Sequence, residues 1–447
     1  MKNFKTLFGM MVVALMAASC TNDVNDVLAP EAPQKGYPFE ATIAPKSFDA
    51  TTRTALVEDT ENGTISSTWE VGDKIAIVYL TESDPEEIEA EVKKVAEDGS
   101  ATIVATFTEL PYDNGGEYNA DLIYPAGDDA GDDVLTSQDG TLSADRDLRN
   151  GGAKLIFDGN KITFDGTPSL KAIGSIVKFS MKDLGETPNA IPVSKLVISS
   201  KGYWNPGDDL TITVSLISET DVVYVTIPQS YGKEHTFWFE ATANDSDFKE
   251  IPYIVKATAT LDAGKYYQTT LKMATVGNVI GCDGKFYKNV DDAEGNAEAM
   301  IAYLGNEATD APHGLAIALE DVSDGLITWS NAATAVNTWA DSHKINGDAS
   351  GWRLPSAYDW QRMFIGCGST HDYVSELTNG NDGMVFDYGE FKSKLTNAGG
   401  HAGGSSYSYW SSTAYNEDNA WSVALGAKKF TFINKGIDIS VLACLAF

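Results

Sequence analysis

Between about residues 38 and 275, apolar and polar positions alternate with period two, broken by short turn clusters. This is the pattern of antiparallel strands with one buried face. In SATIVATFTEL, Ala101, Ile103, Ala105 and Phe107 share one side, and Thr102, Val104 and Thr106 share the other. LTITVSLI repeats the pattern with Leu210, Ile212, Val214 and Leu216. Asn114-Gly115-Gly116, Asn205-Pro206-Gly207-Asp208 and Asp262-Ala263-Gly264 supply the dihedrals that tight reversals need. No helical stripe interrupts the run, and its length exceeds one sandwich. The pattern predicts two tandem antiparallel β-sandwiches, at 38–170 and 171–275.

Past Thr275 the periodicity changes. Ser330 is placed to cap a helix carrying Ala332, Val336, Trp339 and Ala340 at helical spacing. In SGWRLPSAYDWQRMF, Ser356 is the predicted N-cap of a second helix, with Asp359 at N3 completing a capping box. Trp360, Met363, Phe364 and Cys367 form its apolar stripe. Apolar strands at 314–322, 408–413, 420–425 and 439–447 surround the two helices, so 276–447 reads as an α+β unit in a mainly β chain.

The first residues obey a different logic. Lysines at 2 and 5, an apolar run from Leu7 to Ala18 and small residues up to Cys20 form a secretory signal, 1–19, too short to span a membrane. Ala17-Ala18-Ser19-Cys20 resembles the lipobox of bacterial lipoproteins, which implies cleavage before Cys20 and acylation of its thiol, as with palmitate. Several acyl chains give stable anchoring where one does not. The alternative is ordinary signal cleavage with Cys20 unmodified. Residues 20–37 are polar, acidic and proline-bearing, a flexible tether, and Asp23 and Asp26 resemble the export signal of Bacteroidales-type surface lipoproteins. The expected location is the outer membrane surface.

Charge narrows the classes further. Sixty-four acidic against thirty-two basic residues give a net charge of −32, which disfavours nucleic acid as a partner. With Cys20 set aside, Cys282, Cys367 and Cys444 remain, which excludes a disulfide scaffold or a cysteine zinc site. The five histidines never come at metal-ligand spacing, and no nucleophile-elbow, zincin or P-loop motif occurs, so no enzyme and no cofactor are expected. The acidic pairs Asp128-Asp129, Asp132-Asp133, Asp208-Asp209 and Asp291-Asp292 lack calcium-loop spacing and read as solvated turns.

Two resemblances give these units names. Thr51 to Tyr79, with T-R-T, then W-E-V-G-D before an apolar strand, resembles the opening of the fimbrillin family of pilus subunits. YNADLIYPAG at 118–127, GSIVKFSM at 174–181 and LDAGKYY at 261–267 follow in the family's order. The resemblance implies sandwiches of the fimbrillin, transthyretin-like kind, and partnership with other pilus subunits by donor-strand addition. It also implies trypsin-like maturation, for which Arg53 is the candidate; the alternative is a strand arginine with no such role.

W-R-L-P-S with D-W, then Y-W-S-S-T and A-W-S-V, resembles a C-type-lectin-like module over about 277–447. That fold implies that its first and last strands pair, bringing Cys282 and Cys444 close enough for a bridge that is formed or not. It also implies a ligand face on the long loops, at Asn379, Asn381, Asp382, Asn416, Glu417, Asp418 and Asn419, with Tyr407, Tyr409 and Trp410 as a stacking face. Those loop oxygens suit sugar hydroxyls, or calcium as the one cofactor the residue types allow. The alternative is that Trp410 is core and the polar residues form ordinary turns. Taken together, the expectation is a surface adhesion protein, a fimbrial tip or accessory subunit whose terminal module binds a glycan or a host or bacterial surface protein. The runner-up is a non-polymerising surface lipoprotein that captures such a ligand.

Overall fold

The computed structural model describes residues 36–46, 57–59, 64–82, 84–111, 118–126, 135–143, 146–247, 249–305, 311–346, 351–369, 384–385, 388–401 and 408–447. The chain is mainly β, as the alternation predicts. Its first strands are β1 (Tyr37–Ile43), β2 (Val57–Asp59), β3 (Thr64–Ser66), β4 (Lys74–Leu80), β5 (Pro85–Val95), β6 (Ala101–Phe107), β7 (Tyr118–Tyr124), β8 (Ser137–Gln138), β9 (Arg149–Phe157), β10 (Ile162–Phe164) and β11 (Lys171–Ala172).

An eight-stranded sheet runs β10-β1-β6-β5-β4-β7-β9-β11, and β10 also pairs with β9. The sheet therefore closes on itself around Phe39, Ile43, Ile75, Ile77, Ile103, Phe107 and Leu122. This corrects the expectation of a two-sheet sandwich for 38–170. Alternation fixes which face of each strand is buried, but not whether the outermost strands find each other, and closure removes exposed edges.

The second unit is a two-sheet sandwich. It comprises β12 (Gly174–Lys182), β13 (Val193–Ser200), β14 (Leu210–Thr220), β15 (Val222–Pro228), β16 (His235–Asn244), β17 (Glu250–Ala259) and β18 (Tyr266–Lys272). One sheet is β15-β12-β18 and the other β17-β16-β13-β14-β8. Two pieces from the first stretch lie against it. β8 adds parallel to β14, and the Gln138 amide both donates to Thr226 O at 2.8 Å and accepts from Thr226 N at 2.9 Å. The β2–β3 hairpin is tied on through Glu58, which accepts from Lys178 Nζ at 2.7 and 3.0 Å and from the Tyr266 hydroxyl at 2.7 Å, with the Tyr224 hydroxyl as a third donor.

The last unit comprises β19 (Val279–Gly281), β20 (Phe286–Tyr287), β21 (Ala297–Leu304), β22 (Gly314–Ala318), β23 (Ile327–Thr328), α1 (Trp329–Ala340), β24 (Trp352–Arg353), α2 (Ala357–Gly366), β25 (Met384–Val385), α3 (Gly389–Asn397), β26 (Ser408–Ala414), β27 (Asn419–Ala424), β28 (Lys429–Asn434), β29 (Asp438–Ile439) and β30 (Cys444–Ala446). Its sheets are β20-β19-β21-β22-β30-β24, β25-β28-β27-β26 and β23-β29. Ser356 and Asp359 form the predicted capping box, and Trp360, Met363, Phe364 and Cys367 are buried as the stripe requires. α1 begins earlier than Ser330 implies, with Thr328 at its N-cap and no side-chain cap bond. Arg353 fastens its strand to the cap of α2 through two bonds to Asp359, at 3.0 and 3.3 Å. Gly366 is required where α2 meets β21, because a Cβ there would lie 2.4 Å from Ala302 O. Trp238 and Ile254 of the second unit join this core, and the His313 ring stacks on Trp238 at 4.1 Å while its Nδ1 lies 2.6 Å from Glu240 Oε1.

Candidate functional site

β1 lies between β10 and β6 in the first sheet. Seven rungs pair it antiparallel with β6, from Tyr37↔Phe107 to Ile43↔Ala101. On its other side one rung, Phe39↔Ile162, joins it parallel to β10, with Thr163 Oγ1 donating to Glu40 O at 3.1 Å. β1 is thus one seam of the closed sheet. Phe39, Ala41 and Ile43 point inward, and Phe39 packs on Phe107 and Phe164 with centroids 5.4 and 5.0 Å away. Burying each large side chain contributes roughly 1.5–3 kcal/mol.

Just beyond β1 the chain is anchored a second time. Ala44 N donates to Pro168 O at 2.8 Å, and Trp69 Nε1 donates to Ala44 O at 2.8 Å. Lys46 then turns inward, its side chain only 3% exposed. Its Nζ lies 3.2 Å from Asp73 Oδ2 and 3.7 Å from Asp147 Oδ2, and sits over the rings of Trp69 at 4.3 Å and Tyr124 at 3.7 Å. Asp147 also holds Arg149 Nε at 2.7 Å and accepts from Ser67 Oγ. Asp73 accepts from the Tyr124 hydroxyl at 3.1 Å and from Glu70 N at 3.0 Å. Burial pushes the Lys46 ammonium below its usual range, and Asp147 and then Asp73 oppose that shift. The W-E-V-G-D stretch marks Gly72-Asp73 as a turn before a strand, and Lys46 is not among the residues singled out from the sequence. Gly72 does turn, with φ +99°, but Asp73 also reaches into the protein. A cation directly after an alternating strand was the available signal.

The hairpin joining β26 and β27 holds Asn416, Glu417, Asp418 and Asn419. Asn416, Glu417 and Asp418 are exposed, and Asn419 is half-buried. Asn416 Oδ1 accepts from Asp418 N, Asn419 N and Asn419 Nδ2 at 3.0, 2.8 and 3.1 Å, while Lys435 Nζ donates to Asn416 O and Glu417 O at 2.7 and 3.0 Å. The loop is a self-satisfied turn clasped by a lysine. That leaves the side chains of Glu417 and Asp418 facing solvent. Tyr415 stands beside them, stacked on Phe432 at 4.2 Å, and Lys435 caps the Trp329 ring at 4.5 Å. Tyr409 and Trp410 are core, and Trp410 Nε1 donates to Ile327 O at 2.8 Å, so neither offers a stacking face. Among the described residues, no three His, Cys, Asp or Glu side chains are grouped to hold a metal.

Cys20, Arg53, Asn379, Asn381, Asp382 and Tyr407 lie outside the described residues. The expected approach of Cys282 and Cys444 is corrected. β21 and β22 separate β19 from β30 in the sheet, so at about 4.8 Å per strand the two thiols lie well beyond bridging reach. None of Cys282, Cys367 and Cys444 is in a disulfide, and Cys444 Sγ accepts instead from Arg353 Nη1 at 3.5 Å. Burial pushes the Cys367 thiol up to about 12, which suits an inert side chain.

No family model and no curated protein matches the chain. Among solved structures it is similar to a fimbrial protein from Bacteroides ovatus, at 13% identity and TM-score 0.28, over 93% of this chain and 100% of that one. It is similar also to a fimbrial assembly protein from Parabacteroides distasonis, at 10% identity and TM-score 0.25, over 53% of this chain and 90% of that one. A third is a minor pilin from Streptococcus agalactiae, at 10% identity and TM-score 0.19, over 54% of this chain and 96% of that one.

Proposed function

We propose that this chain is a lipid-anchored surface adhesion protein, acting as a fimbrial tip or accessory subunit. The observation that carries the reading is the seat of β1. It is the first described strand, it closes the sheet between β6 and β10, and Arg53 falls in the connection 47–56 between it and β2. Cleavage at Arg53 followed by loss of β1 leaves β6 and β10 with unpaired edges over an apolar groove lined by Ile103, Phe107 and Phe164. That groove suits strand addition from another subunit. β30 is paired on both sides, with β22 and β24, and so is not free for donation. An acceptor whose β30 is held on both sides fits a tip or accessory position better than a stalk.

In this reading Cys20 carries the acyl anchor of the uncleaved chain in the outer membrane, and cleavage at Arg53 releases the subunit from that anchor together with β1. The 276–447 unit, taken as C-type-lectin-like, presents Glu417, Asp418 and Tyr415 to a glycan or surface protein. Immunogold labelling of sheared pili tests the reading: label at filament ends supports it, and label confined to the cell body favours the non-polymerising alternative. Detergent partitioning of Cys20→Ala tests the anchor, which lies elsewhere if the variant still fractionates with membrane.

A further inference from the structure

The seat of β1 is not only apolar. Its far end is a closed charge set in which two cations, Lys46 and Arg149, face two carboxylates, Asp73 and Asp147, at direct contact. Lys46 belongs to the segment that leaves with β1, whereas the other three stay with the body of the sheet. Once Lys46 is gone, Arg149 still neutralises Asp147, but among the described residues Asp73 retains only neutral donors, the Tyr124 hydroxyl and Glu70 N. The vacated space is walled by the faces of Trp69 and Tyr124, whose negative π-surfaces favour a cation and oppose an anion. Asp147 and Arg149 are fully shielded from water and Asp73 is nearly so, with 1%, 0% and 13% side-chain exposure. These values hold with β1 seated, and a replacement strand that fills the same groove covers the set again, so solvent compensates poorly for a charge missing from that strand.

We infer that the strand accepted in place of β1 must bring its own cation to the Asp73–Asp147 seat, so that this seat selects the partner subunit. The inference rests on the strand-replacement reading above. It specifies the partner by chemistry: an extended segment with alternating inward apolar side chains, followed after the last of them by a lysine at the spacing from Ile43 to Lys46. The small inward position at Ala41 and the aromatic position at Phe39 set the sizes along the rest of the strand. A segment with the same apolar pattern and a neutral or acidic residue at the cation position fits the groove and is rejected at its end. This is discrimination by an unpaired buried charge.

The test uses the full chain nicked after Arg53 by an arginine-specific protease, with the new terminus at Thr54 verified by sequencing. Labelled peptides spanning residues 36–46, native or Lys46→Met, are offered in excess, and their incorporation is followed by fluorescence anisotropy. The native peptide is expected to incorporate, and the Lys46→Met peptide to bind more weakly by a factor on the order of 100. On an Asp73→Asn chain that penalty should shrink to within about tenfold, because the unpaired carboxylate is gone. Equal incorporation of the two peptides on the wild-type chain overturns the cation requirement while leaving strand replacement standing. If neither peptide incorporates into a verified nicked chain, strand replacement itself fails and the inference falls with it.

Discussion

Glu58 and Lys178, separated by 120 positions in sequence, form a hydrogen-bonded ion pair that ties the β2–β3 hairpin to the outer face of the second unit. Burial raises the Glu58 pKa, but the donors Lys178, Tyr224 and Tyr266 outweigh it and hold the carboxyl below its ordinary value. A depressed folded value means that the stabilisation is fully present above the unfolded Glu value of about 4.3 and is lost as pH falls through the lower folded one. Melting temperatures of wild type and Glu58→Gln, compared from about pH 6 to about pH 3, should therefore converge on acidification. At neutral pH the variant should lose roughly 1–3 kcal/mol.

Lys46 is expected to behave as one member of a balanced set. In the intact chain Lys46→Met should destabilise by up to about 3–5 kcal/mol, since it leaves the largely shielded Asp73 carboxylate without a cation. Adding Asp73→Asn should recover part of that loss. Denaturant unfolding of the two singles and the double measures the coupling, and simple additivity would mean that the pair does not interact.

Gly366→Ala tests the seating of α2. A Cβ at this position meets Ala302 O and the Tyr303 backbone, neither of which can turn aside as a flexible side chain would. Overpacking of this kind destabilises by roughly 1–3 kcal/mol. Thermal unfolding of the variant checks it.

In the β26–β27 hairpin the residues should separate by role. Asn416→Ala removes the acceptor of three hydrogen bonds and should cost about 1 kcal/mol of stability. Glu417→Ala and Asp418→Ala should leave the melting temperature unchanged and weaken ligand binding. A glycan and matrix-protein array with the full chain and these variants reads both effects, and undiminished binding by the Glu417 and Asp418 variants removes this loop as the ligand face.

The thiols give a direct check on the topology. Mass spectrometry under non-reducing conditions should show no peptide linking Cys282 to Cys444. Cys367, buried and with its thiol pKa raised, should resist alkylation until the chain unfolds.

Sequence periodicity alone determined the strand-rich body, the apolar faces of Ala101–Phe107 and Leu210–Leu216, and the capped helix at Ser356. Each depends on residues close together in the chain, whose spacing dictates which face is buried. What local spacing cannot carry is how distant edges meet. The closing of the first sheet at β1 and β10, the addition of β8 to the second unit, and the two strands between β19 and β30 were decided by tertiary packing. The same holds for Lys46 and Asp73. Each alone reads as an ordinary surface or turn charge, and only the fold brings Asp147, Arg149, Trp69 and Tyr124 around them, shielding them from most water and turning two unremarkable residues into a matched, partly buried pair.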